Sequence, residues 1–169
     1  MARAIELAAQ GFPAPNPHVG CVLVKRGKII GEGFHEYAGA PHAEVHALRN
    51  AVDSVEGATA YVTLEPCNHT GRTGPCSVAL MEARVKRVVI AVADPNPVAS
   101  GGASALHHAG IEVDLGILAR EATYVNRQFL TSVAQGRPYI TLKAAITRDG
   151  FIARPDGTSK WITGEAARE

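Results

Sequence analysis

Neither sign of charge is in excess in this chain: 17 Lys and Arg stand against 16 Asp and Glu, a formal net charge of +1. That balance argues against a strongly electrostatic nucleic-acid binder. Long apolar runs are missing too. The longest plain one, Val88 to Ala93, falls far short of the about 20 residues a membrane-spanning helix needs. The opening Met1-Ala-Arg-Ala-Ile-Glu-Leu-Ala-Ala reads as an amphipathic helix and lacks the charged-then-apolar order of a secretory signal. Three cysteines, a small and odd number, make no disulfide framework. Metal ligation in a reducing cytoplasm suits them better, so a cytoplasmic location is expected. Internal repeats, low-complexity segments and a G-x-G-x-x-G dinucleotide fingerprint are all absent.

What remains is an ordinary globular composition in 169 residues, enough for one domain and an appendage. Helical spacing runs from Arg3 to Gln10, followed by a breaker-rich loop from Gly11 to Pro17. Val19 to Val24 reads as a buried strand and Ile29 to Phe34 as its hairpin partner across the Arg26-Gly27-Lys28 turn. A helix is expected over Ala43–Ala51, a strand over Ala58–Leu64, a helix over Ser77–Ala83 and a β-branched strand over Arg87–Ala93. A short helix at Ala103–Ala109, a strand at Ile111–Leu115 and a helix over Ala119–Leu130 complete the series. Such alternation implies an α/β layered fold. Gln135-Gly-Arg-Pro138 marks a boundary, dividing the chain into 1–136 and 137–169, and Tyr139 to Ala145 reads as the first strand of something new.

The chemistry concentrates in His42-Ala-Glu44, Pro66-Cys67 and Pro75-Cys76. Catalytic zinc typically takes three protein ligands and keeps a fourth position for water, and a carboxylate that does not bind the metal can move protons. His42, Cys67 and Cys76 are the candidate ligands for Zn2+ and Glu44 the candidate proton carrier, as in zinc deaminases. Eight residues separate the two cysteines where C-x-x-C has two. His42 and Cys76 each follow a proline and open a helix, and Cys67 lies just past the end of a strand, where open α/β sheets bind their ligands. A purely structural zinc would ask for a fourth protein ligand, with His46 and His69 as the nearby candidates. Cys21, inside an apolar strand, reads as core.

With Asn16-Pro-His-Val-Gly20, His42-Ala-Glu-Val-His46 and Glu65-Pro-Cys-Asn-His-Thr-Gly-Arg-Thr-Gly-Pro-Cys76 on the page, the chain closely resembles the deaminase domain of the bifunctional riboflavin-biosynthesis deaminase/reductase family. The long loop between the cysteines sets that family apart from deaminases with C-x-x-C. The resemblance implies a three-layer α/β/α cytidine-deaminase-like fold with a central mixed sheet, plus a truncated start of a second α/β domain. It implies hydrolysis of the 2-amino group of a diamino-ribosylamino-pyrimidinone 5′-phosphate, with Asn16, His35, His69 and Arg72 lining the substrate pocket. Asn16 also offers a donor and an acceptor to a pyrimidine edge, and Arg72 in its Gly- and Thr-rich loop suits a phosphate. Glu65 is expected to bond backbone near the cysteine loop.

The tail, Arg137-Pro-Tyr-Ile-Thr-Leu-Lys-Ala-Ala and Ser159-Lys-Trp-Ile-Thr-Gly, resembles the opening of the family's reductase half, which uses NADPH. By the same resemblance Lys143, Ser159 and Trp161 would face that half's substrate and cofactor. Reductase activity is not expected from these 169 residues alone. The expected partner is a small-molecule pyrimidine nucleotide, with no nucleic acid, no membrane and self-association into a homo-oligomer. The alternative reading is a zinc deaminase of another nucleobase, nucleoside or tRNA.

Overall fold

Short apolar strands alternating with helices build one five-stranded sheet in the computed structural model of the chain, which describes residues 1–71, 74–160 and 164–167. The chain divides into two units, Met1–Tyr139 and Ile140–Glu169. The first begins with α1 (Ala2–Ala8) and the hairpin β1 (Gly20–Lys25) and β2 (Lys28–Phe34). It continues through α2 (Ala43–Arg49), β3 (Thr59–Leu64), α3 (Cys76–Glu82), β4 (Arg87–Val92), α4 (Gly102–His108) and β5 (Glu112–Leu115), and ends with α5 (Ala119–Val125) and α6 (Arg127–Gln135). The strand order is β2-β1-β3-β4-β5. β1 is antiparallel to both neighbours, and β3, β4 and β5 are parallel. The mixed sheet expected from the sequence is therefore present.

Residues alternate between the two faces of a strand, and the core follows that rule. Cys21 and Leu23 of β1, Ala60 and Val62 of β3, and Val88 and Ile90 of β4 pack on one face against Ala43 and Ala47 of α2, Leu80 of α3 and Leu106 of α4. Val22 of β1 packs with Ala4 and Leu7 of α1 on the other face, where α5 lies beside α1 against β3 and β4. Three layers result. Leu23, Leu80, Ile90 and Leu106 are fully buried, each contributing about 1.5–3 kcal/mol by leaving water.

Small residues set how closely α2 approaches the sheet. A Cβ on Gly33 of β2 would lie 2.6 Å from the Ala43 carbonyl oxygen and collide with the Ala47 amide nitrogen. Ala43 and Ala47 are themselves fully buried. The helix that begins just after His42 thus rests directly on backbone.

Two expectations need correction. The helix read over 119–130 is two helices with Asn126 between them, and the second runs on to Gln135. Periodicity continues through the junction, so no breaker residue announces it. In the second unit, the strand expected at 139–145 is not formed. A strand exists only as part of a hydrogen-bonded ladder, and among the described residues that segment has no partner. The unit holds two tight turns instead: Thr147 N–H donates to the Phe151 carbonyl at 2.9 Å, and Arg154 N–H to the Thr158 carbonyl at 2.8 Å. A single 3-10 turn spans Glu165–Ala167.

Gly33→Ala is expected to lower the unfolding free energy by about 1–3 kcal/mol, because the added methyl meets backbone and not a flexible side-chain end. Urea unfolding of the variant measures it, and a loss below about 0.5 kcal/mol contradicts the packing described.

Candidate active site

The carboxyl ends of β3 and β4 and the start of α2 converge on one cavity of about 510 Å³. Asn16, His35, His42, Glu44, Cys67 and His69 line it, together with Asp94, Asn96 and Phe129. His42 precedes α2, Cys67 follows β3 by three residues, and Cys76 is the first residue of α3. Their ligand atoms all lie within 4.8 Å of one another. His42 Nδ1 is 3.3 Å from Cys76 Sγ and 3.5 Å from Cys67 Sγ.

These separations permit a direct test of fit. Tetrahedral zinc with Zn–S bonds of about 2.3 Å and Zn–N bonds of about 2.0–2.1 Å places its N and S ligand atoms about 3.5 Å apart. The donor set and its spacing both fit zinc. His46 is not among the clustered donors, and its Nδ1 lies 3.0 Å from the Phe34 carbonyl. His69 is not among the clustered donors either.

Backbone around the two sulfurs is tied down from several directions. Cys76 N–H donates to Cys67 Sγ at 3.4 Å, and Ser77 N–H donates to the Cys67 carbonyl at 3.2 Å. Asn68 N–H donates to the Ala99 carbonyl at 2.9 Å, and Asn68 Oδ1 accepts from Ser77 Oγ at 2.7 Å. Glu65 performs the backbone role expected of it: Oε1 accepts from Gly101 and Ala103 N–H, both at 3.0 Å, and Oε2 from Asp94 N–H at 3.1 Å. A Cβ on Gly102 would collide with the Pro66 carbonyl, so the first residue of α4 lies flush against the residue before Cys67.

The electrostatics match a cation site. The Cys76 thiol hydrogen-bonded beside it, with help from His42, holds Cys67 far below the usual thiol range. The same contact, then burial, pushes Cys76 up. Its hydrogen bond to Cys67 raises His42. A thiolate is the form that binds metal, and the lowering of the Cys67 thiol favours it. Glu44 is 3% exposed, and burial pushes its carboxyl above the ordinary range.

Behind the cluster, His35 stands edge-on to His42 with ring centroids 5.4 Å apart. Its Nδ1 lies 3.1 Å from the Pro41 carbonyl, and its Nε2 lies 3.1 Å from Asn16 Nδ2. Burial lowers the His35 pKa. Arg72 and Trp161 lie outside the described residues. Lys143 and Ser159 are exposed in the second unit. Asp94, Asn96 and Phe129 were not singled out from the sequence. The Asp94-Pro-Asn-Pro97 segment reads as a turn, yet it follows the carboxyl end of β4, and that position is the signal by which it could have been found. Burial raises the Asp94 carboxyl pKa.

Residues 1–92 match the family described as cytidine and deoxycytidylate deaminase zinc-binding region, and residues 138–169 match the RibD C-terminal domain. The chain belongs to the cytidine and deoxycytidylate deaminase zinc-binding family. It is 54% identical over 172 residues to the riboflavin biosynthesis protein RibD of Aquifex aeolicus, covering 100% of this chain and 48% of that protein. A Thermotoga maritima crystal structure, described as a diaminohydroxyphosphoribosylaminopyrimidine deaminase/5-amino-6-(5-phosphoribosylamino)uracil reductase, superposes with TM-score 0.93 at 48% identity, over 98% of this chain and 49% of that one. Acinetobacter baumannii RibD superposes with TM-score 0.91 at 55% identity, over 99% of this chain and 48% of that one. The chain thus spans about half the length of the curated relatives it matches. These likenesses bear out the cytidine-deaminase-like fold. Among the described residues no helix is long and apolar enough to cross a membrane.

The Glu65 bonds separate two substitutions. Glu65→Ala leaves three backbone amides without an acceptor, whereas Glu65→Gln keeps an oxygen for Gly101 and Ala103 and loses only the Asp94 bond. We expect Glu65→Ala to lower stability by about 2–4 kcal/mol and Glu65→Gln by about 1 kcal/mol in chemical denaturation. Equal losses in the two variants count against this assignment.

Proposed function

We propose that the chain carries out hydrolytic deamination of 2,5-diamino-6-ribosylamino-4(3H)-pyrimidinone 5′-phosphate to 5-amino-6-ribosylaminouracil 5′-phosphate, a step of riboflavin biosynthesis. His42, Cys67 and Cys76 hold the zinc ion, and Glu44 moves the protons. The observation that carries this reading is a buried carboxyl, Glu44, lining the same cavity as His42 and Cys67, whose ligand atoms and that of Cys76 lie within 4.8 Å of one another. The likeness of this chain to about half the length of riboflavin biosynthesis proteins supports the choice of substrate.

When bound, zinc would lower the pKa of a coordinated water by several units and so supply a nucleophile near neutral pH. The chain's own residues do the rest. Asn16 presents its amide to the pyrimidine edge. Glu44 accepts a proton from the attacking water, returns it to a ring nitrogen, and passes the second to the departing amino group. The bond from C2 to oxygen forms, the bond from C2 to the exocyclic nitrogen breaks, and ammonia leaves. Burial suits Glu44 to this exchange, since a carboxyl raised toward neutrality both takes and gives a proton readily. His35 and His69 flank the base from the cavity wall, and Arg72 takes the 5′-phosphate.

The same reading extends to the whole protein. Residues 137–169 form the start of a reductase domain in which Lys143, Ser159 and Trp161 face substrate and NADPH, and the match of 138–169 to the RibD C-terminal domain supports this division. A cytoplasmic homo-oligomer belongs to the proposal as well. The exposed Leu115, Ile117, Leu118 and Tyr124 support self-association.

Ammonia release from the diamino nucleotide, set beside cytidine, guanine and adenosine, tests the substrate. Turnover of one of those three, with none of the nucleotide, overturns it. Glu44→Gln is expected to retain zinc and fold while kcat falls by at least about 10²-fold. Unchanged turnover would remove Glu44 from the mechanism. Cys76→Ser is expected to lose zinc measured by elemental analysis, and a full complement of metal in that variant rules Cys76 out as a ligand.

A further inference from the structure

Asn126 is a buried polar residue that neither the metal cluster nor the cavity lining uses. It stands between α5 and α6, is 2% exposed, and its amide bonds a residue 108 positions earlier in the chain. Its Oδ1 accepts the His18 N–H at 2.8 Å, and its Nδ2 donates to the His18 carbonyl at 2.7 Å. A primary amide carries a donor and an acceptor side by side, so one side chain closes on both backbone groups of one residue. The segment that follows is pinned as well. His35 N–H donates to the Val19 carbonyl at 2.9 Å, and Gly20 N–H donates to Thr63 Oγ1 at 3.1 Å.

Little slack separates this clamp from the cavity. Asn16 is two residues upstream of His18, with Pro17 between them. Proline fixes its own φ and restricts the residue before it to extended backbone. Asn16 then meets His35. The Pro41 carbonyl beside His35 Nδ1 can only accept, so Nδ1 carries the proton in the neutral ring and Nε2 is an acceptor. Asn16 Nδ2 therefore donates to Nε2, and its Oδ1 is left for a ligand.

We infer that Asn126 is a positioning residue: its clamp on the His18 backbone sets where Asn16 presents its amide to the substrate. The inference rests on the deaminase reading above. Asn126 touches no substrate and acts through Asn16. A buried amide that merely stabilised the fold would weaken the protein to the same degree whether or not Asn16 were present.

A double-mutant cycle separates these cases. Asn126→Ala, Asn16→Ala and the double variant are compared as zinc-loaded full-length protein, with kcat and KM measured for the diamino nucleotide. Asn126→Ala is expected to raise KM about tenfold with a smaller change in kcat, and the double variant to be no worse than Asn16→Ala alone. Losses that add across the cycle overturn the inference, as does a fall in kcat at constant KM. Hydrogen exchange on the unaltered protein tests the clamp without any variant that has to fold. The His18 amide is expected to exchange at least about a hundredfold more slowly than a free loop amide, and exchange at the free rate overturns the clamp. Unaltered protein that fails to turn over the nucleotide sinks the functional reading and this inference with it. Turnover with additive losses sinks the positioning role alone.

Discussion

Two thiols and an imidazole crowded into one buried corner are an unfavourable arrangement unless something unites them, and the surrounding structure is organised to keep them there. Their mutual contact holds the Cys67 thiol down and pushes the Cys76 thiol up, and the contact with Cys67 raises His42. A divalent cation resolves the conflict, because every donor then faces positive charge. Nitrogen and sulfur already stand at the spacing a tetrahedral ion requires.

Holding that corner demands that separate segments end at one edge of the sheet. β3 delivers Cys67, α3 begins on Cys76, and the loop before α2 brings His42. Parallel pairing of β3 with β4 puts both carboxyl ends on the same side, which is why the Asp94 and Asn96 turn joins the cavity wall. Glu65 binds that turn and the start of α4 to the residue before Pro66. An anionic side chain here replaces part of a backbone ladder where the sheet has run out.

Glu44 depends on a different constraint, the closeness of α2 to β1 and β2. Gly33, Ala43 and Ala47 remove side-chain bulk from that contact. The helix therefore sits low enough to bury a carboxyl in its first turn, and burial rather than a like-charged neighbour is the largest cause of its altered pKa. Small residues chosen for packing thereby reach the proton chemistry.

Short-range pattern was enough to read the strands, most helices and the residues of the metal cluster from the chain alone. Alternation, proline before His42 and Cys76, and the polar loop between the cysteines are all local features. The break at Asn126 was invisible to such reasoning, since its amide bonds the backbone of His18, 108 positions earlier in the chain. The strand looked for at 139–145 failed for the complementary reason: a good β-forming run has no ladder without a neighbour. Residue type and spacing thus decided which chemistry was possible. Which distant backbone groups would meet was decided only when the sheet order and the helix layers were assembled, because hydrogen bonds form between positions in space and not between positions in a chain.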